Sequence, residues 1–209
     1  MGRPNQQGRR CSLITILIDA DDTIHYLLKA WVTYLNKKYG QNVNWLAIRS
    51  WDICKAFPNL THAEVYRALQ DKALWDMVEP LPFASLVIEK LIEEGHSVYL
   101  VTSSYYKTVP VKFERAIFKY FPMIDWEHVI VACNKQMIKG DVLIDDGPHN
   151  LEGGDYAKIL VSSPHNFDYP AEENGMVRVR SWFDIYNEIQ KIAGSDKRMN
   201  FDFDIFEEE

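Results

Sequence analysis

Leu13-Ile14-Thr15-Ile16-Leu17-Ile18-Asp19-Ala20-Asp21-Asp22-Thr23 is an apolar, β-branched run that stops abruptly in acid. Such a run is what a strand buried on both faces requires, as in a parallel sheet. Side chains two apart in an extended chain share a side, so Asp19 and Asp21 are expected to converge just past the strand's end. In an open parallel sheet that end is the ligand edge. A lone Asp there would more simply open a turn or cap the next helix. A second stretch of the same kind, Val142-Leu143-Ile144-Asp145-Asp146, changes the weighing. If the two strands are neighbours, their acids meet at one edge, and like charges that close raise one another's pKa unless a cation sits among them. Oxygen-only ligands favour a hard ion, and a small site completed by water and phosphate oxygens favours magnesium over calcium.

Two further pieces have the same placement. Thr102 and Ser103 follow the expected strand Ser97 to Val101 and offer hydroxyls and backbone N–H groups to a phosphoryl oxygen. Lys135 follows the strand Val129 to Ala132 and brings a positive charge. Lys139, next to Gly140, stands where the chain is already turning back to start the strand at Val142, so the geometry selects Lys135.

Outward from these motifs the chain alternates. Leu28, Trp31, Val32, Leu35 and Tyr39 mark an amphipathic helix that Gly40 ends. Thr61 with Glu64 is a capping-box signature opening a helix through Val65 and Leu69 to Trp75. A helix spans Ala84 to Glu94, another Lys112 to Tyr120, and Ser181 with Asp184 opens a last one through Ile192. Ile159 to Val161 and Val177 to Val179 are short strands. Strands alternating with helices imply right-handed βαβ units and an α/β fold with a three-layer doubly wound parallel sheet. The segment 27–80 breaks the alternation and is expected to be a small helical cap inserted after the first strand. The core is then 11–26 and 81–195, with flexible tails 1–10 and 196–209. Trp31, Trp45, Trp51 and Trp75 all fall in the cap, where large rings either line a pocket or hold a small core together; core is the plainer expectation.

The 209 residues are 47% apolar and 25% charged, which excludes disorder, and no apolar run is long enough to cross a bilayer. The polar start carries no signal-peptide pattern, so a cytoplasmic protein without a membrane partner is expected. A net charge of −7 with no basic patch argues against a nucleic-acid polymer. Cys11, Cys54 and Cys133 form neither a disulfide set nor a closely spaced metal pair, and reduced thiols are expected. The histidines show no metal-ligand spacing, and His149 beside the acidic pair reads as a turn residue. Homodimerisation is left open.

Asp19-x-Asp21-x-Thr23, Thr102 after its strand, Lys135 and the Asp145-Asp146 pair resemble, in order and spacing, the four motifs of the haloacid dehalogenase superfamily of phosphotransferases. More narrowly, the short cap, Glu79-Pro80-Leu81-Pro82, Lys135 ahead of Asp145, and Leu143-Ile144-Asp145-Asp146-Gly147-Pro148-His149-Asn150-Leu151 are similar to the 5'(3')-deoxyribonucleotidase family. The family's usual Asp-Met-Asp-Gly-Val opening is here Asp-Ala-Asp-Asp-Thr. Trp51 matches a base-holding aromatic position, whereas Leu27 and Leu69 stand where larger rings are expected. The resemblance implies a phosphomonoesterase acting on nucleoside or deoxyribonucleoside monophosphates with magnesium. Asp19 would be nucleophile and Asp21 acid and base. Asp19, Asp21 through its carbonyl, and Asp146 would hold the metal, with Asp145 orienting from behind. Thr102, Ser103 and Lys135 would hold the phosphate, and Trp51 the base. Other readings are a phosphatase of the same chemistry acting on a sugar phosphate, and a silent phosphate-binding module, whose signature would be loss of Asp19 or Asp21.

Overall fold

The computed structural model describes residues 12–199. The expected tail 1–10, the Cys11 thiol and the acidic segment 201–209 lie outside the described residues. Six parallel strands, β1 (Thr15–Ile18), β2 (Ser97–Thr102), β3 (Val129–Val131), β4 (Val142–Asp145), β5 (Ala157–Val161) and β6 (Val177–Val179), form one sheet in the order β3-β2-β1-β4-β5-β6. The opening run is therefore a central strand, with β2 on one side and β4 on the other. Alternate residues serve opposite faces. Ile16 and Ile18 pack with Val98, Leu100, Val142 and Ile144 on the face covered by α4 (Ala84–Glu93) and α8 (Trp182–Ile192). Leu17 packs with Val101, Leu143 and Leu160 on the other, beneath Leu151 of the short helix α7 (Pro148–Leu151). Two buried faces explain why β1 reads as continuous apolar sequence rather than as an alternation.

Between β1 and α4 lies the cap: α1 (Leu27–Tyr39), the 3-10 turns Trp45–Ala47 and Ile53–Ala56, α2 (His62–Arg67) and α3 (Lys72–Trp75). Its own apolar cluster gathers Trp31, Leu35, Phe57, Leu74 and Trp75 and is continued by Val111 and Ala116 of the core. The chain leaves and re-enters the core as a pair: Tyr26 N–H donates to the Glu79 carbonyl at 2.9 Å and Leu81 N–H to the Ile24 carbonyl at 2.8 Å. Asp22 has a left-handed φ of 54°, and its carboxylate accepts the Leu28 N–H at 2.9 and 3.1 Å, so this acid does cap the next helix.

Several boundaries differ from the sequence reading. The helix expected to run on to Trp75 stops at Arg67, continues as a 3-10 turn to Gln70, and restarts at Lys72. Asp71 takes an extended conformation and its side chain accepts the Ala73 N–H, ending one helix and capping the next. The helix expected from Lys112 starts earlier as α5 (Val109–Lys112), with Pro110 in its first turn. It then widens into a π-turn over Phe113–Ile117, where Phe118 N–H reaches the Phe113 carbonyl, before α6 (Phe118–Tyr120). Thr102 and Asp145 lie within their strands rather than after them. Of the expected flexible tail from 196, residues 196–199 are described and tied down: Lys197 Nζ donates to Glu94 at 2.7 Å, and Met199 N–H to Asn187 at 2.8 Å. No helix among the described residues is long and apolar enough to cross a membrane.

Gly140 lets the chain enter β4 against β1: a Cβ there would meet Leu17 Cγ at 2.7 Å, inside van der Waals contact. Gly140→Ala is expected to destabilise the protein by about 1 to 3 kcal/mol in urea unfolding, as overpacking does. The cost should shrink by about half or more in a Leu17→Ala background, because the two changes share one space.

Candidate functional site

Asp19 directly follows β1, and its N–H donates to the Ile144 carbonyl of β4 at 2.9 Å. That bond sets Asp19 beside Asp145 and Asp146, and one carboxylate oxygen from each of the three lies within 4.8 Å of the others, all buried. Lys135, in the 3-10 turn after β3, is 1% exposed; its Nζ donates to Asp19 Oδ1 and, at 2.6 Å, to Asp145 Oδ2. Lys139 is exposed. The other Asp145 oxygen accepts Gly147 N–H at 2.8 Å and Asn150 Nδ2 at 3.0 Å, so both its oxygens are engaged. Asp146 Oδ2 stands 2.9 Å from His165 Nε2.

Asp21 sits in different surroundings. Lys112 Nζ, 1% exposed, donates to Asp21 Oδ2 at 2.6 Å, to Thr102 Oγ1 at 2.7 Å and to Ser104 Oγ at 3.1 Å. His25 Nε2 lies 2.9 Å from Asp21 Oδ1. From the sequence, Lys112 reads only as the start of a helix. The available signal was topological: α5 follows the ligand end of β2, so its first turn stands at the same edge. The π-turn that begins at Phe113 shifts the helix by one residue immediately after Lys112, as such bulges do near functional positions.

The two carboxylates are driven apart electrostatically. Burial, with Asp145, Asp146 and Asp21 nearby, pushes Asp19 up to about 8 against the opposing pull of Lys135. Burial also raises Asp146 well above the usual carboxylate range, helped by Asp145. At Asp21 burial acts in the same direction but is outweighed by Lys112 and His25, which hold it below the usual range. Burial opposes ionisation of Lys135 too, yet Asp19 and Asp145 raise its pKa above normal. Burial lowers His165 and His149.

Above this floor lies a cavity of about 380 Å³. Asp19, Asp21, Asp146, Lys135 and Ser103 reach it from the core, and Trp31, Trp51, Tyr66, Leu27 and Leu69 from the cap. Trp51 is 56% exposed, with its ring 4.5 Å from that of His149 and 4.9 Å from that of His165, both edge-on. Trp31 is at once cap core, through its Nε1 bond to the Val65 carbonyl, and cavity wall. Thr102 does not line the cavity; it is fully buried and its hydroxyl takes the Lys112 hydrogen bond. His149, read as a turn residue, lies in α7 and forms part of the wall. Sequence spacing gave no sign of His165, which reaches the site on the loop after β5.

The donor set fits a hard divalent cation. Asp19, Asp21, Asp145 and Asp146 bring four carboxylates, and Lys112 and Lys135 two ammonium groups, leaving two negative charges when all are ionised. Oxygen-only donors of this kind suit a hard divalent ion.

Without a cation, the raised Asp19 pKa has a definite sign. The folded state retains a proton that the unfolded chain releases near 4, so stability is present at low pH and lost as pH rises from about 4 to 8. Metal-free protein is expected to unfold at progressively lower temperature across that window. Asp19→Asn should flatten the loss, by about 1.4 kcal/mol for each pKa unit removed. Thermal unfolding in chelator from pH 5 to 8.5 checks this; an unchanged slope in the variant contradicts it.

Comparison with known proteins extends the geometry. The family described as "5' nucleotidase, deoxy (Pyrimidine), cytosolic type C protein" matches residues 12–194. A 5'(3')-deoxyribonucleotidase of Bacillus subtilis (strain 168) is 36% identical over 172 residues, covering 81% of this chain and 95% of the relative. One from Clostridium acetobutylicum is 31% identical over 170 residues, covering 81% and 91%. Among solved structures, a haloacid dehalogenase family hydrolase from Deinococcus radiodurans R1, with bound phosphate and sodium, superimposes with a TM-score of 0.60 at 14% identity, covering 88% of this chain and 97% of the other; it shows the shared fold.

Proposed function

The chain belongs to the cytosolic type C 5'-nucleotidase family and is a phosphoric monoester hydrolase, and on that premise we propose that it hydrolyses deoxyribonucleoside monophosphates with magnesium through a phosphoenzyme formed on Asp19. The observation that carries this reading is Asp19 itself. One of its oxygens is tied to Lys135, the other has no described hydrogen bond, and the residue opens on the cavity. An Asp19 oxygen attacks phosphorus and the ester P–O bond breaks, with Asp21 giving a proton to the leaving alkoxide. Water then attacks the phosphorus, Asp21 takes a proton back, and the Asp19–phosphorus bond breaks to release orthophosphate.

In the free site Lys112 and His25 keep Asp21 ionised, the form that accepts a proton from water. A phosphate dianion entering the cavity beside Asp21 raises the proton affinity of that carboxylate, as a like charge does. That supplies the acid form when the leaving oxygen needs it. Lys135 and the Ser103 segment stabilise charge on the transferring group. Asp145, both oxygens held, orients Asp19 through their shared lysine. Asp19, Asp146 and the Asp21 carbonyl would hold a magnesium ion, whose charge would neutralise an incoming phosphate so that an anionic nucleophile can approach it. Trp51, exposed on the cap side and flanked by imidazole edges, offers its face to a base. The free thiols of Cys54 and Cys133 support a cytoplasmic setting.

Phosphate release from a panel of deoxyribonucleotides, ribonucleotides and sugar phosphates tests the reading. Deoxyribonucleotides are expected to turn over fastest, and chelation to abolish turnover; preference for a sugar phosphate overturns the substrate assignment. Trp51→Ala should raise KM for nucleotides by about ten-fold or more and leave a minimal phosphoester unaffected, since stacking is worth ~1 to 3 kcal/mol per base.

The lysines give a second test. Lys135→Ala is expected to lower kcat by several orders of magnitude with the fold retained in circular dichroism, because a charge aimed at the phosphoryl group acts mainly in the transition state. Lys139→Ala, on an exposed side chain, should stay within about two-fold of wild type. The reverse ranking in steady-state kinetics assigns the phosphate contact to Lys139.

A further inference from the structure

Behind the wall of the first cavity is a second, of about 530 Å³, that shares no lining residue with it. Its walls are Leu46 and Arg49 of the cap, Ser162 to Pro164 and Phe167 of the loop after β5, Arg178 of the edge strand β6 and Arg180 just beyond it. Three guanidinium groups converge on it and no acidic residue lines it, in a chain of net charge −7. Arg178 lies in β6 and Arg180 directly follows it, and both line the cleft.

Two of these groups, Arg49 and Arg178, meet only neutral hydrogen-bond partners. Arg49 donates to the backbone carbonyls of Leu46 at 2.6 Å and Pro164 at 3.5 Å, and lies 5.4 Å over the Phe167 ring. Arg178 donates to Asn166 Oδ1 and to the carbonyls of Asn166 and Tyr169 at 2.7 to 3.1 Å. These are neutral partners, and among the described residues neither arginine is within ion-pair distance of a carboxylate. Glu172 acts on Arg178 through space, and Asp184 accepts the Arg180 backbone N–H at 3.2 Å; neither lines the cleft.

Forked donors of this kind match phosphoryl oxygens. An exposed Phe167 beside them adds an apolar face, and the volume falls in the range of small-molecule sites. We propose that this cleft is a second phosphoryl-anion site, distinct from the catalytic cavity, that takes orthophosphate or the phosphate end of a nucleotide. The two cavities stand back to back. Arg49 adjoins Ser50 and Trp51, and Pro164 adjoins His165, all three of which line the first cavity. An anion held by Arg49 from the cap and by Arg178 and Arg180 from the core ties the two together beside the first cavity.

Equilibrium dialysis of the full chain against labelled orthophosphate tests the site. Two saturable equivalents per chain are expected in wild type, and one in the double variant Arg49→Gln, Arg180→Gln, with turnover of the catalytic substrate retained as proof of folding. Arg180→Glu, a single change on an exposed side chain, should weaken the second equivalent at least ten-fold. One equivalent in wild type, or two in the double variant, overturns the proposal. A parallel arm with a nucleoside triphosphate identifies the source of the phosphoryl group. Binding ten-fold tighter than orthophosphate that Phe167→Ala abolishes shows a nucleotide site; equal binding, unaffected by that change, shows a site for the phosphoryl group alone.

Discussion

The structure depends on holding several carboxylates together at one end of a sheet. Asp19, Asp145 and Asp146 are brought within a few ångströms by the pairing of β1 with β4, and that pairing is made by apolar residues buried on both faces. The sheet therefore bears the repulsion of its own edge. Lys135 offsets part of it from the β3 side and Lys112 from the α5 side, and the remainder appears as the raised proton affinity of Asp19 and Asp146. A region built this way is most stable when completed by a divalent ion or when it keeps a proton it would otherwise lose.

The cap answers to the same constraint. It leaves and returns through the paired segment around Tyr26 and Leu81, directly beside Asp21 and Asp22. Its first helix is started by Asp22, one of the edge acids. On the far side, the α8 residue Trp182 donates through Nε1 to the Thr23 carbonyl at 3.1 Å, fixing the turn from behind. Cap position and carboxylate position are thus set by one short stretch of chain.

Much of this was legible because the relevant signals are local. A continuous apolar run followed by acids reports a buried strand and its ligand end together, and two such runs suffice to bring Asp19 near Asp145. The alternation of strands and helices carried the layering. The parts that were not legible come from long-range packing. Lys112 follows Val111 and precedes Phe113 in what reads as an ordinary helix, and only the π-turn and the approach of α5 to β1 bring it to Asp21. His165 reaches Asp146 on a loop with no periodicity. The short α7 has too few residues for a helical pattern, yet it supplies Asn150 to Asp145. Thr102 ends β2 rather than following it, and its hydroxyl direction is decided by a lysine that no local pattern reveals.

The two lysines give two aspartates of one turn different characters. Lys135 is shared between Asp19 and Asp145, so its charge is divided, and burial among other acids still raises Asp19. Lys112 is shared between Asp21 and two neutral hydroxyls, so nearly all its charge acts on Asp21, which is lowered. Pairs of carboxyl groups whose surroundings push their pKa values apart are those in which one can bond to the substrate while the other moves protons. The division follows from partners rather than from sequence: the two residues are the same amino acid, two positions apart, at the end of the same strand. What separates them is that one ammonium meets a second carboxylate and the other meets hydroxyls.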